Sequence, residues 1–188
     1  MRVLALADAP PRHPIPDLVA ALDPELILLL GDLEPAWTEG LADVVVTKLG
    51  VLGNHDEPGA LAALGATDLH LTRASAGGLS FVGFGGSPRY RRSEGSGRNE
   101  WTEEEAAVML EDLPGADVLL AHSPPAGVND EPDDPVHTGS PALLRWVQRH
   151  EPAVLLHGHT LPHPARRTTR VGATRVVHVR GALPLELP

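Results

Sequence analysis

Apolar residues along the chain fall into short runs that end abruptly in Gly, Asp, Asn or His. Positions 3–7, 26–30, 44–46, 50–52, 79–84, 117–121, 153–156 and 175–179 are rich in Val, Leu, Ile and Ala. Runs of that length without helical periodicity predict buried strands. Helices are predicted between them at 17–22, 59–64, 102–113 and 140–150. Thr102 and Glu105 have the spacing of a capping box, and Pro114-Gly115 ends that segment. Ser140-Pro141 supplies an N-cap and first-turn pair, and Leu143, Leu144 and Val147 form one apolar stripe behind it. Alternating strands and helices predict an α/β layered fold.

Composition narrows the class. A chain of 188 residues, 42% of them hydrophobic, is expected to fold as one domain over 1–188. A formal charge of -10 argues against a duplex nucleic-acid partner, because phosphate neutralisation needs a basic face. The opening apolar run is too short for a signal-peptide core or a membrane span, so a cytoplasmic location and no membrane partner are expected. Cysteine is absent while histidine occurs ten times. Any transition metal must therefore be held by nitrogen and oxygen. Two long segments, 87–100 and 123–139, read as loops. The first carries Arg89, Arg91 and Arg92, candidates for phosphate contacts, although a solvated charge run explains them equally simply.

Polar residues of metal-binding type recur at the carboxyl ends of the predicted strands. Asp8 follows 3–7; Gly31-Asp32 follows 26–30; Gly53-Asn54-His55-Asp56 follows 50–52; His122 follows 117–121; His157-Gly158-His159 follows 153–156. Strand ends on one edge of an open α/β sheet are where ligand sites form. Each residue alone has an ordinary structural explanation, Asp8 and Asp32 as turn or cap residues and His122 as a hydrogen-bonded core histidine. Together they form a set of hard oxygens and borderline imidazoles suited to Mn, Fe, Zn, Co or Ni. One shared carboxylate could bridge two such ions.

In this order the residues resemble the calcineurin-like metallophosphoesterase superfamily, whose pattern is Asp-x-His, Gly-Asp, Gly-Asn-His-Asp/Glu, a lone His, then Gly-His-x-His. The resemblance runs from Asp8 to His159, with His157-Gly158-His159 as the last motif. It departs at Pro10, which stands where the first motif has its histidine, and more mildly at Leu156, which stands where the last motif has its glycine. It implies a four-layer α-β-β-α sandwich, two mixed sheets flanked by helices. It also implies two divalent transition-metal ions, manganese foremost, bridged by Asp32. Asp8 and His159 would serve the first ion; Asn54, His122 and His157 would complete the second. The implied activity is hydrolysis of a small phosphomonoester or phosphodiester by a metal-bridging hydroxide. His55 would be the acid for the leaving oxygen and Asp56 would orient its ring. The rival expectation is a fold-retaining metal-binding or regulatory module whose catalysis is weak or lost because Pro10 removes a ligand.

Overall fold

The computed structural model describes residues 1–90, 99–161, 163 and 168–188. Two sheets carry the architecture. The first has five strands in the order β13-β1-β2-β3-β4: Gly181–Glu186, Arg2–Ala7, Leu26–Leu29, Lys48–Gly50 and Thr67–Asp68. The second has six in the order β11-β12-β10-β9-β6-β5: Arg170–Val171, Thr174–His178, Val154–His157, Val118–Ala121, Leu79–Phe84 and Arg73–Ala76. A small pair, β7 (Ser87–Pro88) with β8 (Glu100–Trp101), brackets the arginine-bearing loop. Residues 91–98, hence Arg91 and Arg92, lie outside the described residues.

Period-two burial explains the layering. In β1, Val3, Ala5 and Ala7 point between the sheets, where they meet Leu26, Leu28, Phe81, Val118, Leu120, Val154 and Leu156. The alternate residues Leu4 and Leu6 point outward with Ile27 and Leu29, and are covered by Ile15 of α1 (Ile15–Leu22) and Leu61 of α2 (Ala60–Ala63). On the other outer face Val82, Phe84, Leu119 and Leu155 pack on α3 (Glu103–Glu111) and α4 (Pro141–His150). The expected four layers, helices outside two mixed sheets, are present. The capping box at Thr102 and the Ser140 cap both form as predicted.

Short strands such as β4, β5 and β11 are absent from the predicted elements, and two further differences from expectation bear on the layers. Residues 44–46 are not a strand: Val45 is fully exposed, and Val44 and Val46 lean on the outer helical layer while β3 begins at Lys48. Strand β13 is absent from the predicted elements, because Pro184 interrupts its pattern and it is only half buried. As an edge strand it tolerates a proline, since its free side needs no N–H. Among the described residues no helix is long and apolar enough to cross a membrane.

Candidate metal centre

The inner strands β1, β2 and β3 run parallel, and so do β6, β9, β10 and β12, so that the carboxyl ends of the two sheets open on the same edge. Asp8, Asp32 and Asn54 leave the first sheet there; His122 and His159 leave the second. Asp8, Asp32 and His159 all adopt positive φ, at 57°, 52° and 67°. Asp and His enter the left-handed region more readily than most residues, yet three such positions at one edge store strain of the kind found at functional sites. The chain turns there so sharply that short side chains face inward.

A ligand atom from each of Asp32, His122 and His159 lies within 4.8 Å of the others. The hydrogen bonds fix which atoms these are. His122 donates from Nδ1 to Leu30 O at 2.7 Å, so in the neutral ring Nε2 carries the lone pair. That Nε2 faces Asn54 Oδ1 at 3.0 Å and Asp32 Oδ2 at 3.6 Å. With the ring neutral, three acceptors converge without a donor among them, an arrangement that a metal ion satisfies in place of the ring proton. His159 donates from Nε2 to Val136 O at 2.8 Å, leaving Nδ1 for the cluster. Burial first, with help from the neighbouring histidines, pushes the His159 pKa down to about 3, so the ring is neutral and able to ligate. The donor set of one carboxylate, one carboxamide and two imidazoles fits a divalent transition-metal ion.

Asp8 lies beside this cluster. Its Oδ2 accepts the His159 N–H at 2.9 Å, and desolvation raises its carboxyl from 3.8 to about 6 against the opposing pull of His122. A carboxylate that resists ionisation in the bare protein is one that a bound cation would hold charged.

His157 does not join the cluster. Its Nδ1 donates to Gly158 O at 3.0 Å, and its Nε2 accepts from the Asn129 side chain at 2.8 Å. Both ring nitrogens are thus satisfied, and the ring stacks on His178 with centroids 4.7 Å apart. The implied ligand His157 is a core residue in this structure, and His159 stands with His122 instead of with Asp8 alone. The last motif then aligns as Gly158-His159-Thr160-Leu161, with Leu161 at the second histidine position, half exposed. Alternate positions such as 157 and 159 share a face only while a strand persists, and β10 ends at His157, so the two imidazoles are free to point to different sides.

Asp56 has a different task from the one implied. Its Oδ2 accepts the N–H groups of Asp32 at 2.8 Å and Gly53 at 2.7 Å, and its Oδ1 accepts that of Leu33 at 2.9 Å. It pins two ligand-bearing loops together and does not orient His55. His55 itself is exposed, with Nε2 4.0 Å from Asp32 Oδ2 and its backbone N–H on Asp32 Oδ1 at 2.9 Å.

Arg89 pairs with Glu105 at 3.4 Å and lines a separate cavity with Leu52, His70, Trp101 and Met109. Two residues not singled out in the sequence matter more. Asn99 donates to Gly53 O at 2.8 Å and Asp56 O at 3.1 Å, tying down the Asn54 loop. Arg180 lines the roughly 370 Å³ pocket over the cluster together with Asp8, Asp32, His55 and His159. It follows β12, so the strand-end rule that found the ligands would have found it too.

These features agree with the comparisons to known proteins. The family model for calcineurin-like phosphoesterase matches residues 1–163. The chain belongs to the calcineurin-like phosphoesterase family, a family of metal-dependent phosphoesterases. A search of curated proteins gives no significant match. Among solved structures, TT1561 of Thermus thermophilus is similar in fold, with a TM-score of 0.63 at 18% identity, covering 96% of this chain and 89% of that one.

Proposed function

We propose that the protein is a metal-dependent hydrolase of a small phosphoester, with its principal ion held by Asp32, Asn54, His122 and His159. The observation that carries this reading is the convergence of ligand atoms of Asp32, Asn54, His122 and His159 at one sheet edge, with His122 Nε2 3.0 Å from Asn54 Oδ1 and 3.6 Å from Asp32 Oδ2. When bound, such an ion lowers the pKa of water and neutralises charge on a phosphoryl group.

The chain's own residues divide the remaining work. His55, exposed in the pocket and anchored through its backbone to Asp32, is positioned to deliver a proton to the leaving oxygen. Asp56 and Asn99 hold the two loops in register. Asp8 and Asp32 could offer a second ion carboxylate oxygens, but Pro10 and Leu161 add no ligand atom there. A second ion is therefore expected to be weakly held.

The reading is tested with bis(p-nitrophenyl) phosphate and p-nitrophenyl phosphate under added manganese, alongside metal analysis. Turnover that disappears with His122→Ala together with the metal supports it; turnover indifferent to metal and to His122 overturns it. The pair Pro10 and Leu161 favours a second reading, a metal-binding module with residual catalysis. Rescue of slow turnover by Pro10→His with Leu161→His would favour that reading.

A further inference from the structure

The side of the pocket near Asp8 holds a cation of the protein's own. In the antiparallel pairing of β1 with β13 the last partners are Ala7 and Gly181, so Asp8 and Arg180 stand one position beyond it at the ends of adjacent strands. The backbone at Arg180 is fixed on both sides. Val179 is fully buried and donates to His157 O at 2.8 Å, and Gly181 takes φ 72° as the chain crosses from one sheet to the other. The side chain lines the pocket and is exposed to its solvent. It is the only Lys or Arg among the described residues of that lining, against Glu34 and Glu57 on the same wall.

We propose that Arg180 is the phosphate-binding residue of this site, its guanidinium taking non-bridging phosphoryl oxygens beside Asp8, where Pro10 and Leu161 leave no imidazole for a second ion. The proposal rests on the phosphoesterase reading and names the group that receives the substrate's charge. The lining carries the carboxyl groups of Asp8, Asp32, Glu34, Asp56 and Glu57, more negative charge than one divalent ion offsets, so an entering anion needs a fixed cation. Arg180 supplies it in a chain whose overall charge is -10. A planar guanidinium also matches two phosphoryl oxygens at once, which an ammonium does not. Its field reaches Asp8, where it lowers the carboxyl pKa against burial.

The test is titration of inorganic phosphate into the metal-free and manganese-loaded protein, by calorimetry, for wild type, Arg180→Gln and Arg180→Lys, with metal content and melting temperature measured in parallel. Arg180→Gln is expected to bind phosphate roughly ten- to hundredfold more weakly, as loss of a charge-assisted bidentate contact implies, at unchanged metal content and melting temperature. Arg180→Lys should recover only part of the loss. Phosphate binding by Arg180→Gln equal to wild type overturns the proposal and leaves the phosphoesterase reading standing. A wild type that binds phosphate through Arg180 but hydrolyses neither nitrophenyl ester supports Arg180 as the anion-binding residue and counts against the phosphoesterase reading in favour of the metal-binding module. A wild type that binds no phosphate overturns the proposal.

Discussion

Replacing Asp56 by Asn separates the task the structure gives this residue from the one implied by its motif. The carboxylate is buried and accepts three backbone N–H groups from two loops. An amide has one acceptor oxygen. Turned best, it keeps the bonds from Asp32 and Gly53 and points its NH₂ at the Leu33 N–H, so one charge-assisted bond becomes a donor facing a donor. Losing that bond and stranding a buried N–H costs roughly 2–4 kcal/mol, and the two surviving bonds lose their charge assistance. For a chain of this size about 2–4 °C of melting temperature accompanies each kcal/mol, so Asp56→Asn should melt about 4–16 °C lower. The measurement is thermal unfolding by circular dichroism in a chelator, which keeps metal linkage out of the comparison. Exposed Asp43→Asn serves as the control. Manganese affinity should fall as well, although no ligand has been touched, because Asp32 and Asn54 lose their common anchor. If Asp56→Asn melted within about 2 °C of wild type, the three bonds would not be holding the loops and the reasoning would fail.

The reassignment of the histidines predicts opposite phenotypes. His159→Ala should abolish metal loading, whereas His157→Ala should retain it and lose about 2–4 kcal/mol of stability through Asn129 and the His178 stack; metal loading lost equally in both would contradict it. Acid should destabilise the metal-free protein. His157 and His159 are held near 3 when folded but titrate near 6.5 when unfolded, so the unfolded chain takes up protons first, and stability present above pH 6.5 is lost as pH falls toward 3. Asp8, raised to about 6, acts in the opposite sense: its contribution is full below 3.8 and is lost as pH rises through 6. Its shift is the smaller, so the two histidines decide the net sign. Urea midpoints in chelator should drop between pH 7 and pH 4; a flat or rising profile would refute the assignment.

Much of this was legible in the chain because strand ends announce themselves: an apolar run followed by a small polar residue marks both the element and where its carboxyl edge lies. That signal located Asp8, Asp32, Asn54 and His122. It failed at His157 because the face a residue presents depends on whether the strand has already ended, which the apolar run does not reveal. Asp56 was misread for a related reason, since a carboxylate next to a histidine in sequence is not thereby next to its ring. Arg180 is not marked in the chain as a site residue, because an arginine at a strand end is no metal ligand and its neighbour Asp8 is 172 positions away until β13 folds back along β1. Arginines clustered in sequence were more conspicuous, yet Arg89 faces Glu105.

The origin of the ligands has a kinetic consequence. Oxygen donors come from one sheet, through Asp32 and Asn54, and nitrogen donors from the other, through His122 and His159. Neither half alone offers a good site, so the ion can load only after the two sheets have docked. An interaction that forms after the folding barrier has been crossed slows unfolding far more than it speeds folding. The metal would then act as a latch on a finished sandwich, prolonging the lifetime of the native molecule without guiding its assembly.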